Sequence, residues 1–213
     1  MKKNILILGA TGQIARWVVD ALGGDDDLQL TLVLRDPAKL AGVNVGNARL
    51  MVGDVLDRKL LAQAMAGQDV VYANLTGDDI DAQARGVISA MQIAGVKRLI
   101  FVLALGIYDE VPGKFGEWNT ATIGEELVPF RRAADAIEAS GLDYTVLRPA
   151  WLTDEDEVDY ELTARDEPFK GTVISRRSVA EFISALIQQP AQYIGANLGM
   201  NKPGTDADKP YFM

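Results

Sequence analysis

Apolar residues in this chain come in short runs separated by longer segments with helical spacing. Ile5-Leu6-Ile7-Leu8 and Leu99-Ile100-Phe101-Val102-Leu103 are apolar throughout, as expected for strands covered on both faces. The runs predict strands over Asn4–Leu8, Leu28–Leu34, Ala48–Val52, Val70–Ala73, Arg98–Leu103 and Asp143–Leu147. Helical segments fall between them at Gly12–Leu22, Arg58–Met65, Asp78–Ala94 and Glu125–Ser140. Such alternation calls for a parallel sheet with helices on both faces, because each parallel crossover needs a connection of helical length. Gly23-Gly24, Gly67, Gly95 and Gly141 stop the four helices, each supplying a permissive conformation at the end. Beyond Leu147 the pattern loosens. Trp151–Lys170 is acidic and weakly periodic, Ser178–Gln188 reads as an amphipathic helix, Tyr193–Met200 as a last strand, and the tail from Asn201 as irregular.

Composition narrows what such a sheet can do. At 213 residues, one domain over 1–213 is expected, with residues 1–149 as its core and 150–213 as a small region over the substrate side. The formal charge of −9 argues against nucleic acid, which needs clustered Lys and Arg. The chain has no cysteine and no histidine, so thiolate chemistry, histidine general bases and Cys- or His-ligated metals are excluded. Proton chemistry is left to Tyr, Lys, Asp, Glu, Ser, Thr or water. The opening apolar run is too short for a secretory signal, and no stretch of about 18 apolar residues exists to span a membrane. A cytoplasmic location is the expectation.

The first strand runs directly into Gly9-Ala10-Thr11-Gly12-Gln13-Ile14-Ala15, which opens the first helix. Gly9 permits the tight turn, Gly12 admits a close-lying pyrophosphate, and Ala15 is small enough for helix to pack on strand. The helix start adds free N–H donors and positive potential. Gly9, Thr11, Gly12, Gln13 and Ile14 are therefore candidate dinucleotide contacts on a Rossmann-like, doubly wound sheet. Arg35 follows the second strand, with Lys39 nearby. A guanidinium there suits a 2′-phosphate, so NADP is favoured over NAD, with Asp36 as the residue that would instead serve an NAD ribose. Asp54 and Val55 fall after the third strand, where Asp54 either accepts from the adenine amino group or caps the next helix. Asn74 and Leu75 follow the fourth strand and either line the ribose or simply turn the chain.

Together these residues resemble the atypical short-chain dehydrogenase/reductase superfamily in its NAD(P)H-binding, NmrA-like branch. The likeness rests on Gly9–Ala15, Arg35-Asp36-Pro37, Gly53-Asp54-Val55, Val96-Lys97-Arg98 and Ser140-Gly141-Leu142-Asp143-Tyr144-Thr145-Val146-Leu147-Arg148-Pro149. It implies that Pro149, Ala150 and Trp151 pass near the nicotinamide. Members with dehydrogenase chemistry carry a Ser after the fifth strand and a Tyr-x-x-x-Lys pair on the next helix. Here Leu103 and Ala104 stand in the Ser region, and none of the six tyrosines is followed by Lys four residues later. Counting back from Ser140 puts Leu127 and Arg131 in the two missing places. Tyr108, in the loop after the fifth strand, is the remaining phenol and the candidate catalytic residue, while Trp118 and Trp151 are candidates to wall an aromatic pocket.

Asp154-Glu155-Asp156-Glu157-Val158-Asp159 lacks the glycine and the ligand spacing of a calcium loop, so a solvated acidic loop is expected there and no metal site. The expected function is NADP(H)-dependent reduction of a small-molecule acceptor that needs hydride but no enzyme-donated proton, such as a flavin or quinone. The alternative is a non-catalytic NADP(H) sensor that acts on a protein partner. An isomerase or epimerase ranks third, since it too needs an acid/base pair.

Overall fold

The structure is a computed structural model that describes residues 2–213. Five strands begin the fold: β1 (Lys3–Leu8), β2 (Leu28–Leu34), β3 (Arg49–Val52), β4 (Val70–Ala73) and β5 (Arg98–Val102). Between them lie α1 (Gln13–Leu22), a 3-10 turn (Pro37–Leu40), α2 (Arg58–Met65) and α3 (Ile80–Ala94). Then come α4 (Gly113–Glu138), β6 (Asp143–Pro149), β7 (Trp151–Thr153), β8 (Glu161–Thr163), β9 (Val173–Ser175), α5 (Arg176–Gln188) and β10 (Ala196–Asn201).

The main sheet has the order β3-β2-β1-β4-β5-β6-β10-β8 and is parallel except for β8. Ile5 of β1 is opposite Leu30 of β2 on one side and Val70 of β4 on the other. Strand order therefore reverses at β1, which opens a crevice beyond the carboxyl ends of β1 and β4. Helices α1 and α5 pack on one face over Ile5, Ile7, Tyr72 and Leu147. On the other face α2, α3 and α4 cover Leu6, Leu8, Val71 and Phe101. This is the doubly wound Rossmann-like fold that the alternation of strands and helices demands.

Three features depart from expectation. Helix α4 starts at Gly113 rather than Glu125 and holds Pro129 inside it. Gly116, Gly124 and Pro129, all poor helix formers, blur its periodicity in the sequence. Gly23 ends α1 in ordinary right-handed geometry, so it is not needed for a left-handed cap. It is needed because a Cβ there would strike the Asn44 carbonyl oxygen. Within the acidic segment, β8 pairs antiparallel with β10, and β7 with β9 makes a separate two-stranded sheet. No helix among the described residues is long and apolar enough to cross a membrane.

Candidate dinucleotide and acceptor site

The glycine loop carries the geometry expected of a pyrophosphate cradle. Gly9 has φ +71°, the left-handed conformation that favours glycine, and a Cβ on it would meet the Asn74 carbonyl oxygen. Gly12 is extended (φ −62°, ψ 151°), but a Cβ there would strike Asn74 Nδ2. No side chain caps α1, and its first turn holds no acid. The N–H groups and the positive end of the helix dipole at Gln13 and Ile14 are thus left for an anion, so the residues present fit a dinucleotide pyrophosphate. Thr11 is half-buried and Gln13 exposed, while the Ile14 side chain anchors the helix in the core. The buried Tyr72 hydroxyl donates to Asn74 Oδ1 at 3.1 Å, which turns the Asn74 amide nitrogen toward Gly12. Leu75 Cδ2 lies 3.3 Å from where a Gly9 Cβ would sit.

At the β2–β3 end of the crevice, Arg35 and Lys39 are exposed. Asp36 Oδ1 accepts from Ala38 N at 3.1 Å and so starts the 3-10 turn. Asp54 is likewise drawn into a local turn, accepting from Leu56 N at 2.9 Å. It does not cap α2. That role belongs to Asp57, whose carboxylate accepts from Lys59 N and Leu60 N at 2.9 and 3.2 Å. Val55 packs against the core beside this turn.

Beyond β5 and β6 the crevice is apolar and aromatic. The Leu103 N–H donates to the Leu147 carbonyl at 2.8 Å, and Ala104 follows half-buried. Pro149 ends β6, and the Ala150 N–H donates to Met200 O at 2.8 Å with its methyl sunk in the core. The Trp151 N–H is held by Thr172 O, and the half-buried indole meets Trp118 at 4.9 Å between ring centroids, tilted by 56°. Phe115 stacks behind Trp118. Trp151 Nε1–H donates to Asn119 Oδ1 at 2.9 Å. Asn119 was not singled out from the sequence, because it lies in the half of α4 that Gly116 and Gly124 conceal. Gly106 (φ +85°) faces the same group: a Cβ there would stand 2.7 Å from Asn119 Nδ2 and 3.1 Å from Leu127 Cδ1. Leu127 therefore backs the loop after β5. Arg131 is committed to Asp135 at 2.9 Å and to the Ile107 carbonyl.

Tyr108 does not present a free hydroxyl to the crevice. Its O–H donates to Glu138 Oε1 and accepts from Asn197 Nδ2, both at 2.8 Å, so it points along α4 toward β10. Arg131 and Arg165 each hold a guanidinium 4.6 Å from its ring centroid, beside a depression of about 550 Å³. Burial, then the neighbouring Glu138 carboxylate, push its ionisation well above the ordinary phenol range. For Tyr108 to act as the catalytic phenol expected from the sequence, its bonds to Glu138 and Asn197 would first have to open. The same loop is pinned by a buried ion pair that the sequence did not announce. Arg148 bonds Glu110 and donates from Nε to Asn197 Oδ1 at 2.7 Å, while Glu110 also accepts from Gly106 N and Tyr108 N at 3.0 and 2.9 Å.

The acidic run is the exposed loop expected, and its charges are paired. Asp154 pairs with Arg176 at 2.9 Å, Asp156 with Arg177, and Glu155 and Glu157 share Lys202. Another depression, of about 730 Å³, opens at the amino ends of β1, β4 and β5, on the edge of the sheet opposite the glycine loop. There Lys3 donates to the Ile187 and Gln188 carbonyls at the end of α5, a helix-capping task rather than a ligand site.

A reversal of strand order over a glycine loop with an open helix start defines a dinucleotide-binding protein of the Rossmann class. The chain belongs to the NAD(P)H-binding family, whose model matches residues 9–190. A solved Rossmann-fold NAD(P)-binding family protein from Shigella flexneri is 57% identical, with a TM-score of 0.87 and full coverage of both chains. A short-chain dehydrogenase/reductase (wide type) from Veillonella parvula DSM 2008, solved in complex with NADP, is 27% identical with a TM-score of 0.88, again over both full chains. The expected place in the short-chain dehydrogenase/reductase superfamily is borne out. Among curated relatives, an uncharacterized sugar epimerase, YhfK, from Bacillus subtilis (strain 168) is 27% identical over 87% of this chain and 88% of its own length. An NAD(P)H azoreductase from Xenophilus azovorans is 28% identical over 70% of this chain, which spans 48% of the azoreductase.

Proposed function

We propose that the chain is an NADPH-dependent reductase of a planar, conjugated acceptor of quinone, flavin or azo type. The observation that carries this reading is the Trp118–Trp151 wall beside a crevice whose nearest loop residues, Leu103 and Ala104, offer no hydroxyl. Aromatic side chains favour flat π-systems, and an apolar pocket excludes water from a transferring hydride. The bound nicotinamide supplies that hydride. Gly9, Thr11, Gly12, Gln13 and Ile14 hold the pyrophosphate through open backbone donors, and Asn74 adds an amide that Tyr72 aims. Leu103, Ala104, Pro149, Ala150 and Trp151 line the nicotinamide end, Leu75 lies by the ribose, and Asp54 and Val55 mark the adenine end. Arg35, with Lys39, faces the 2′-phosphate, since the neighbouring carboxylate of Asp36 serves Ala38 N.

With no Tyr-x-x-x-Lys pair to give a proton, the second hydrogen of the reduced acceptor comes from water; this suits quinones and flavins, whose reduced anions are weak bases, while an azo nitrogen must take the proton from water as the hydride arrives. The full-length likeness to a sugar epimerase fits less well, because epimerisation needs an acid and a base beside the nicotinamide and the wall there is aromatic and aliphatic. A panel assay tests the reading. NADPH oxidation is expected with quinones, flavins or azo dyes and not with simple aldehydes or sugars. Binding of NADPH with no turnover of any acceptor would favour the sensor reading, which the missing proton donors also support.

A further inference from the structure

We infer that Asn119 is the hydrogen-bond donor that grips the acceptor's carbonyl oxygen or azo nitrogen, in place of the absent serine and tyrosine hydroxyls. This rests on the reductase reading above. Asn119 is 1% exposed and sits on α4 between the loops that leave β5 and β6. Its Oδ1 accepts from Trp151 Nε1, and that contact fixes which end of the amide is which, because a flipped amide would set N–H against N–H. Nδ2 is thereby directed at Gly106, whose missing Cβ gives it room. Among the described residues no protein acceptor receives Nδ2, whereas buried amides are ordinarily paired on both ends. A bound acceptor supplies the missing partner. Trp118, one residue earlier, and Trp151, bonded to the amide, form the aromatic wall against which a flat acceptor would lie.

An amide donates a hydrogen bond without surrendering its proton. As the hydride and its electron pair arrive on the acceptor, negative charge grows on the heteroatom and the Asn119 N–H stabilises it. With the hydride supplied by a bound nicotinamide, the acceptor would take its proton from water, and Asn119 would keep both its hydrogens. Trp151 in this scheme is a positioning residue for Asn119 as well as a wall of the site.

The test uses the intact protein loaded with NADP⁺ and a hydroxycoumarin, a planar carbonyl compound that is not reduced, with affinity read by calorimetry. Asn119→Asp keeps the acceptor for Trp151 but loses the donor, and is expected to weaken coumarin binding by about 10- to 100-fold at neutral pH. Binding by this variant should recover as the pH falls and the carboxyl gains a proton it can donate; binding by the unmodified protein should lack that recovery. NADP⁺ affinity should stay unchanged in both. Trp151→Phe, which keeps an aromatic wall but frees the amide to turn, is expected to lose affinity part-way and decides the matter if the Asp variant fails to fold. Equal coumarin binding by variant and parent, a weakening that acid does not reverse, or no coumarin binding by the parent would each overturn the role of Asn119. The reductase reading would still stand on the separate turnover panel.

Discussion

At Glu110 a single carboxylate accepts the Arg148 guanidinium and two backbone N–H groups, from Gly106 and Tyr108. Arg148 and Glu110 side chains are 0% and 5% exposed, so removing one leaves the other charged and unpaired in the core. Glu110→Ala should lower unfolding free energy by about 3–5 kcal/mol, read from the urea midpoint, and loosen the loop that backs the acceptor crevice. An unaltered midpoint would mean that water reaches Arg148 and that the pair is not a lock. Tyr108→Phe removes only a hydroxyl shared with Glu138 and Asn197. It should cost about 1 kcal/mol of stability and leave the turnover of acceptors in place. A fall of about 10²-fold in kcat would establish Tyr108 as the proton donor. Arg35→Ala should erase an NADPH-over-NADH preference of about 1.5–3 kcal/mol while leaving NADH binding unchanged, as calorimetry would show. Equal affinities in the parent protein would remove the 2′-phosphate contact.

Among the elements, α4 was the least legible in sequence and matters most to the site. Its second half reads as a helix because Leu127, Ala133, Ala134 and Ile137 fall on one face. Its first half does not, since it holds two poor helix formers, Gly116 and Gly124, and Gly116 is there to pass the Val111 carbonyl. Asn119 and the Phe115–Trp118 stack lie in that concealed half, which is why only the tryptophans, chemically conspicuous anywhere, were picked out beforehand. The glycine loop, by contrast, was fully legible, because strand, turn and helix follow one another in the sequence. The acidic run was half legible: its charge is plain, but its partners Arg176, Arg177 and Lys202 come from α5 and the segment after β10.

Helix α4 is also tied to α3 by Asp81, which pairs with Arg85 and Arg132 at 2.9 Å each. Hydrogen bonding from Arg85 is the main cause that holds its carboxyl below the ordinary Asp range. A depressed folded-state pKa stabilises the fold above the unfolded value, about 3.9, and that contribution is lost as the pH falls through the lowered one. Asp81→Asn should therefore melt at a lower temperature than the parent at neutral pH, with the gap closing as the pH drops below the ordinary Asp value. A gap that persists in acid would assign the loss to packing instead.

For the whole molecule, the sheet order was readable only as a class. Apolar runs place β1 to β6, yet the addition of β10 and β8 beyond β6 depends on pairings such as Asn197 opposite Val146 and Gly199 opposite Thr163, which no local pattern encodes. Strand β10 matters to the crevice, since Met200 holds the backbone of Ala150 at its mouth, while Thr172, just before β9, holds that of Trp151. In the proposed reading the glycine loop seats a dinucleotide and the aromatic wall seats its acceptor. The most direct test is an anaerobic single turnover, with the protein in excess over NADPH and a quinone added. Loss of the reduced nicotinamide absorbance with matching quinol formation, slowed when the transferred hydrogen at C4 of NADPH is replaced by deuterium, is the expected result. NADPH that stays bound and reduced in the presence of quinone, flavin and azo acceptors alike would contradict it.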